Sequence, residues 1–493
     1  MKPIPPGNEV KRLVAPFIDG IVVESNDDAT VEVINPSTGR YCFSIPKGCE
    51  GDVNRAVASA RRAFESDCWS DSPPSFRKKV LHAFANSIEG EAASLDALDA
   101  EEMGKPIGES YASAASAAGL MRFYAEAVDK VMGDVYSSDR HSFVSQRRLP
   151  RGVVALVVPW NFPTFNAVLK LAPALAAGNC VVLKPSELSS RSAMRLAQLA
   201  MEAGIPSGVV NVTPGLGEIV GRALGLHDDV DMVSFTGSTV IGKLMLQYAG
   251  QSNMKVVMAE CGGKSPHIVF ADGVDLNSAA EAITLELTTN QGQLCSVGSR
   301  LLVQRSVESE VLEKITTRLA GIVIGNPLDP KTTFGPIASA KQYARVMQYI
   351  ETAEADGARL VCGGHRVLSE SGGYFVEPTV FRAVHPNARI AQDEIFGPVL
   401  SVISFEDESE AIRIANGTVY GLLATVWTSQ LSTSMRLAKQ IRSSVVVNAS
   451  RPVGGGPGHI VSLEPTGQSG IGTEGGLDGM ESYLRRQLVW INH

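Results

Sequence analysis

The sequence predicts an α/β protein with two doubly wound domains in tandem, on three observations. From Val153 onward, short apolar runs with little polar alternation are separated by helix-length amphipathic stretches, the pattern of parallel strands covered on both faces. The alternation occurs twice, before and after a break at Gly262-Gly263. The length of 493 residues is also about three times the roughly 150 that one domain takes.

Taken in order, Phe17–Glu24 and Val31–Asn35 read as a hairpin turning at Asn26-Asp27-Asp28. Helical periodicity follows from Asp52 to Asp129, with Asp52 and Ser75 as candidate N-caps. Ser142–Leu149 reads as a polar strand. The first strand series is Val153–Val158, Cys180–Lys184, Val209–Val212, Met232–Phe235 and Val256–Ala259, with helices over Ser189–Ala203 and Thr239–Ala249. The second is His267–Ala271, Leu301–Gln304, Val399–Phe405, Leu423–Thr428 and Ser444–Asn448. Helices at 275–289, 307–320, 339–355, 408–415 and 431–441 alternate with it. A Gly-rich tail from Gly467 closes on Leu488–Ile491.

Composition narrows the function. Lys and Arg total 44 against 52 Asp and Glu, a net charge of −8, and no basic run occurs, which argues against nucleic-acid binding. The opening residues carry no apolar core or cleavage site, and no stretch is long and apolar enough to cross a membrane, so a cytoplasmic protein is expected. Seven cysteines at 42, 49, 68, 180, 261, 295 and 362 form no CxxC, which suits reduced thiols and leaves room for a reactive one. Cys42, Cys68, Cys180 and Cys362 are read as inert core. The eight histidines show no zinc spacing, and no catalytic metal is indicated.

Several strings gather at predicted strand ends. Gly215-Leu-Gly217 through Gly221 misses the dinucleotide fingerprint by one residue and reads as a plain strand-to-helix turn. Phe235-Thr236-Gly237-Ser238-Thr239-Val240-Ile241-Gly242 leaves a strand and opens a helix, where free N–H groups and the helix dipole suit a pyrophosphate. Asn161, between Pro159-Trp160 and Phe162-Pro163, sits where α/β sheets bind ligands, and its side-chain amide could donate to a developing oxyanion. Lys184-Pro-Ser-Glu187 is placed to hydrogen-bond sugar hydroxyls at the same edge. Alone, each of these also reads as an ordinary turn or cap. Glu260-Cys-Gly-Gly-Lys-Ser-Pro266 and Asn290-Gln-Gly-Gln-Leu-Cys295-Ser follow, the thiol preceded by a polar, flexible segment rather than an apolar run. Nucleophilic catalysis needs such an accessible thiolate and a base.

Together, PWNFP, KPSE, FTGSTxxG, ExGGKSP, GQxCxxxSR and Glu394-Ile-Phe396-Gly-Pro-Val, in that order, resemble the aldehyde dehydrogenase superfamily in its hydrolytic NAD(P)-dependent branch. The resemblance runs from about Phe17 to the C-terminus. It implies Cys295 as the nucleophile, Asn161 with the Cys295 N–H as the oxyanion hole, and Glu260 as the base for water. It further implies Lys170 near the nucleophile and Glu474 in a proton relay. On the cofactor side it implies Lys184 and Glu187 at the adenosine ribose, Gly237 and Ser238 at the pyrophosphate, Glu394 at the nicotinamide ribose, Phe396 on the nicotinamide side, and Trp160 among the cofactor-binding residues. Glu187 favours NAD by repelling a 2′-phosphate, with NADP as the other coenzyme. The product implied is a free carboxylic acid.

The resemblance also implies a dinucleotide-binding domain over 1–127 and 151–262 and a catalytic domain over 263–466. Residues 128–150 and 467–493 would supply a small β oligomerisation arm and tail, fitting a homodimer or homotetramer. Two departures stand out: Cys261 replaces the usual Leu, and 451–470 lacks the expected PFGGxKxSG, so that Gly-rich loop predicts a mobile or reshaped substrate lip, with His459 either facing solvent or contacting substrate. Pairing of Cys261 with Cys295 is the redox reading of the first. Arg122, between Met121 and Phe123, faces either solvent or a tunnel for a polar-tailed substrate. The competing activity is ester hydrolysis by Cys295, Asn161 and Glu260 without redox chemistry, against which the cofactor-side residues argue.

Overall fold

The computed structural model describes residues 14–449 and 461–492. Five parallel strands form the centre of an eight-stranded sheet, in the order Val210–Val212, Cys180–Lys184, Val153–Val157, Met232–Thr236 and Val256–Glu260. The chain enters at the middle strand, winds outward to one side, then returns and winds to the other. The switch point therefore lies between Val153–Val157 and Met232–Thr236, the position where such sheets bind ligands beyond their carboxyl ends. Helix Pro163–Ala176 is almost wholly buried on this sheet, which explains its continuous Ala and Leu content.

Both edges of the sheet are closed by antiparallel strands. On one side Phe17–Ile18 and Ile21–Val22 make a tight hairpin beside Val210–Val212. The expected turn at Asn26-Asp27-Asp28 is thus corrected: the chain reverses at Asp19-Gly20, both with positive φ (56° and 82°), the geometry a two-residue hairpin demands. Thr30–Asn35 pairs instead with Arg40–Pro46. On the other side Gly470–Ile471 adds antiparallel to Val256–Glu260.

Two expected caps also shift. The first helix runs Glu50–Glu65 with Cys49 at its N-cap. Asp52 is buried inside it, accepting from Ser25 Oγ (2.5 Å) and the Asn26 N–H (2.9 Å). The next begins at Pro74 rather than after Ser75, because proline suits the first helical position, where no N–H is needed.

Residues 261–265 carry the chain into a seven-stranded sheet ordered Arg359–Cys362, Thr379–Arg382, Val399–Phe405, Arg300–Gln304, Pro266–Val269, Leu423–Trp427 and Ser444–Val447. All but the first pairing are parallel. The strands Arg359–Cys362 and Thr379–Arg382 are additions to the sequence reading. Separately, Leu484–Asn492, Ser142–Pro150 and Asp134–Tyr136 form a three-stranded antiparallel sheet. Among the described residues no helix is long and apolar enough to cross a membrane, and no cluster of His, Cys, Asp or Glu stands together as a metal site.

Candidate active site

The expected residues come from strand ends and loops that meet where the two larger sheets adjoin. Asn161 leaves the end of Val153–Val157, just ahead of helix Pro163–Ala176, whose N-terminus is held by the buried Asp99 carboxylate on the Thr164 N–H (3.2 Å) and Oγ1 (3.1 Å). Burial pushes the Asp99 carboxyl up to about 7, opposed by Lys105 and by these bonds. Asn161 is itself buried, and its amide orientation is set by Asn166, which donates to Oδ1 at 3.2 Å. Its Nδ2 donates to the Gln293 carbonyl at 2.9 Å, two residues before Cys295. An amide nitrogen carries two N–H donors, so one remains for a further acceptor.

Cys295 is half-buried. The segment before it is not the flexible run its composition predicts: Asn290, Gln291 and Gln293 are fully buried. Their side-chain amides bond the surrounding backbone, Asn290 Nδ2 to the Asn161 carbonyl (2.6 Å) and Gln293 Nε2 to the Asn290 carbonyl (3.0 Å). The Ala338 N–H in turn donates to Gln293 Oε1 at 3.0 Å. Such bonds substitute for water and make burial of a polar loop tolerable. Cys295 also meets the 260s directly: a Cβ on Gly263 would lie 2.4 Å from the Cys295 carbonyl oxygen, so only glycine fits there.

Glu260 ends the strand Val256–Glu260. It is buried and its Oε1 has no hydrogen-bond partner. Burial holds its carboxyl well above the usual carboxylate range, the Glu474 charge adds to the rise, and Lys170 opposes it. Lys170 projects from helix Pro163–Ala176 to Glu474 Oε1 (2.7 Å) and Ser234 Oγ (3.1 Å). Tyr483 donates to the same Ser234 at 2.9 Å. Ser234 and Tyr483 escaped the sequence reading. A lone serine inside the apolar strand Met232–Thr236 was the available signal.

A second group gathers at the same edge of the first sheet. The Lys184 amine is buried, with Glu187 at a long 3.5 Å, and burial lowers its pKa. Ser238 caps helix Thr239–Gln251 through the Ile241 N–H (3.4 Å). At Gly237 a Cβ would press to 2.5 Å on the Phe235 ring. Glu394 Oε1 accepts the Gly263 N–H at 3.1 Å, and burial pushes that carboxyl up to about 7. Phe396 packs edge-on against Trp160, ring centroids 5.3 Å apart. The turn carrying both Glu394 and Phe396 is pinned by Gln342 Nε2 on the Ile395 and Phe396 carbonyls (3.0 and 2.8 Å).

Other expectations resolve individually. Arg122 points to the second helix, bonded to Asn86 Oδ1 (3.0 Å) and Glu89 Oε2 (2.5 Å), which removes it from a tunnel. Cys68 is exposed rather than core. Cys261 and Cys295 are both outside any disulfide, and burial pushes the Cys261 thiol up to about 12. His459 and 451–460 lie outside the described residues.

An amide with a spare N–H is thus tied to the segment that leads into Cys295, and a buried carboxyl with one unpartnered oxygen ends the strand Val256–Glu260. The aldehyde dehydrogenase family matches residues 22–489, and the chain belongs to that family. It is 41% identical to the NADP/NAD-dependent aldehyde dehydrogenase PuuC of Escherichia coli K12, over 97% of this chain and 95% of that one. The crystal structure of the aldehyde dehydrogenase KauB of Pseudomonas aeruginosa superposes with a TM-score of 0.94 at 45% identity, covering 98% of both chains. An indole-3-acetaldehyde dehydrogenase complexed with NAD+ does so at 0.94 and 45%, covering 97% of this chain and 96% of the other.

Proposed function

We propose that this chain oxidises an aldehyde to the free carboxylic acid with NAD+, or NADP+ as the alternative, through a thioester on Cys295. The observation that carries the reading is the bond from Asn161 Nδ2 to Gln293 O, which brings an amide with one spare N–H to the nucleophile's own segment. As the Cys295 sulfur adds to the carbonyl carbon, the aldehyde oxygen takes on negative charge. The remaining Asn161 N–H and the Cys295 backbone N–H receive that charge, a preorganised stabilisation.

The cofactor-side residues fit a dinucleotide. The Lys184 amine has three donors and one distant partner, leaving two for a ribose diol, with the Glu187 carboxylate to accept from it. The first N–H groups of helix Thr239–Gln251, reached over Gly237 and Ser238, suit a pyrophosphate. Glu394 accepts from the second ribose, with Trp160 and Phe396 bordering the nicotinamide. Bound there, NAD+ supplies the hydride acceptor that takes the thiohemiacetal to the thioester. Glu260 then removes a proton from water as its oxygen attacks the thioester carbon, and the thiolate leaves. Its raised pKa makes it a stronger base than an ordinary carboxylate. The pair of buried Lys170 and half-buried Glu474 carries the proton onward.

In this reading 1–127 with 151–262 bind the dinucleotide, 263–466 carry the nucleophile, and 128–150 with 467–493 form an oligomerisation arm. Trp490 and Ile491 point to opposite faces of the three-stranded sheet and are 64% and 51% exposed. A sheet apolar on both faces supports a homodimer or homotetramer. The absence of disulfides among the seven cysteines supports a cytoplasmic setting.

The test is NADH formation across aliphatic, aromatic, amino- and semialdehydes, with NAD+ and NADP+ in parallel. Loss of all turnover in Cys295→Ala, and a single NADH burst without steady turnover in Glu260→Gln, are expected. Absence of nucleotide binding in the wild type would end the reading.

A further inference from the structure

Glu109 lies between helices Ala92–Met103 and Ala114–Ala127, far in sequence from the nucleophile. Its Oε2 nevertheless accepts the backbone N–H of Asn290 at 2.9 Å. Asn290 is fully buried just past helix Leu276–Thr288, and because the chain leaves helical geometry at Thr289 (ψ 123°) its N–H turns away from the helix carbonyls and needs another acceptor. Asn290, Gln291 and Gly292 have φ of 46°, 57° and 67°. Three left-handed residues in succession, two of them bearing a Cβ, persist only where surroundings hold them. The turn they make sets Asn290 Nδ2 on the Asn161 carbonyl and brings the Gln293 carbonyl to Asn161 Nδ2.

We propose that Glu109 is a positioning residue for Cys295: by accepting the Asn290 N–H it holds the left-handed turn that aims the thiol and the Asn161 amide at one carbonyl. The proposal rests on the assignment of Cys295 as nucleophile and Asn161 as oxyanion donor. The acceptor is a carboxyl rather than a backbone oxygen, and the buried Lys105 amine stands behind it, donating to the Glu109 and Tyr111 carbonyls at 3.4 and 3.3 Å. Burial pushes the Glu109 carboxyl up to about 7, and the Lys105 charge opposes the rise. In its ionised form the bond is charge-assisted, roughly twice as strong as a neutral one. Glu109 Oε1 has no partner, so the carboxyl is spent on Asn290 alone.

The experiment compares Glu109→Met, which keeps the length and removes the acceptor, with Glu109→Gln, which keeps a neutral acceptor. Steady-state kinetics with the best aldehyde, NAD+ binding, melting temperature and the rate of iodoacetamide alkylation at Cys295 are measured on each. Misaiming a nucleophile by about 1 Å costs on the order of 100-fold. Glu109→Met should lose about that much in kcat, with slower alkylation and unchanged NAD+ affinity, and Glu109→Gln should recover most of it. If Glu109→Met does not fold, Glu109→Ala removes the same acceptor without a longer chain to bury and should lose kcat with NAD+ binding intact. Wild-type kcat in either of these variants overturns the proposal, as does Glu109→Gln being as impaired as Glu109→Met. NADH formation by Cys295→Ala would instead overturn the underlying assignment. Inactive Cys295→Ala beside fully active Glu109→Met would remove Glu109 alone.

Discussion

The two sides of the site are built by different means. On the cofactor side, Lys184 is the last residue of a strand, and Ser238 the cap of a long helix. Their positions follow from regular hydrogen-bond ladders. On the nucleophile side, Cys295 follows a left-handed turn held by side-chain amides on backbone groups. Changes on the first side should therefore act locally on binding. Changes on the second should act through aim, leaving binding intact while chemistry fails.

That contrast can be broken in four ways. The largest expected effect is Cys295→Ala, which removes the atom that bonds to substrate: no NADH at any aldehyde concentration, with NAD+ affinity unchanged by calorimetry. Next is Asn161→Ala, which deletes both an oxyanion donor and the tie to Gln293 O. A kcat loss of about 10² to 10³ is expected with KM for NAD+ held, and a matching rise in that KM would erase the distinction.

Smaller is the pH effect of Glu260. Its folded pKa is raised, and it acts as a base only when ionised, so turnover should decline as pH falls through a midpoint above the ordinary carboxylate range. Rate profiles of the wild type and Glu260→Gln check this: the acid limb belongs to steady turnover, not to the initial burst, and an unchanged limb in Glu260→Gln would assign it elsewhere. The smallest is Lys184→Met, expected to raise KM for NAD+ about 10-fold, the loss of roughly one charged hydrogen bond, with kcat within about twofold. A large kcat loss there would mean that the cofactor side also aims the chemistry.

The same division governs what the sequence made legible. Strands such as Cys180–Lys184 and Val399–Phe405 were readable to the residue, because a run buried on both faces is apolar along most of its length. Residues at the ends of such strands came with them. The 290–293 turn was not readable: its polar composition suggests a mobile loop, and only tertiary contacts show the Asn290 and Gln293 amides bonded to backbone at Asn161 and Ala338. Glu109 was invisible for the same reason, its partner being 181 residues away. The turn at Asp19-Gly20 was different, since Asp-Gly between apolar pairs is a strong hairpin signal that the larger alternation of 17–35 obscured. Arg359–Cys362 is a largely exposed edge strand, which leaves little apolar pattern to read.

Gly470–Ile471 closes the edge of the strand that ends in Glu260, and Glu474 neutralises the buried Lys170. Both arrive late in synthesis. From residue 260 to residue 471 is 211 residues, on the order of 10 to 40 s of translation. Throughout that interval the nascent first sheet carries an open edge and a lysine without its counter-charge, so a truncated chain has no route to a finished site. Elements made some 211 residues later complete the first sheet laid down, and its site is finished only once they have been synthesised.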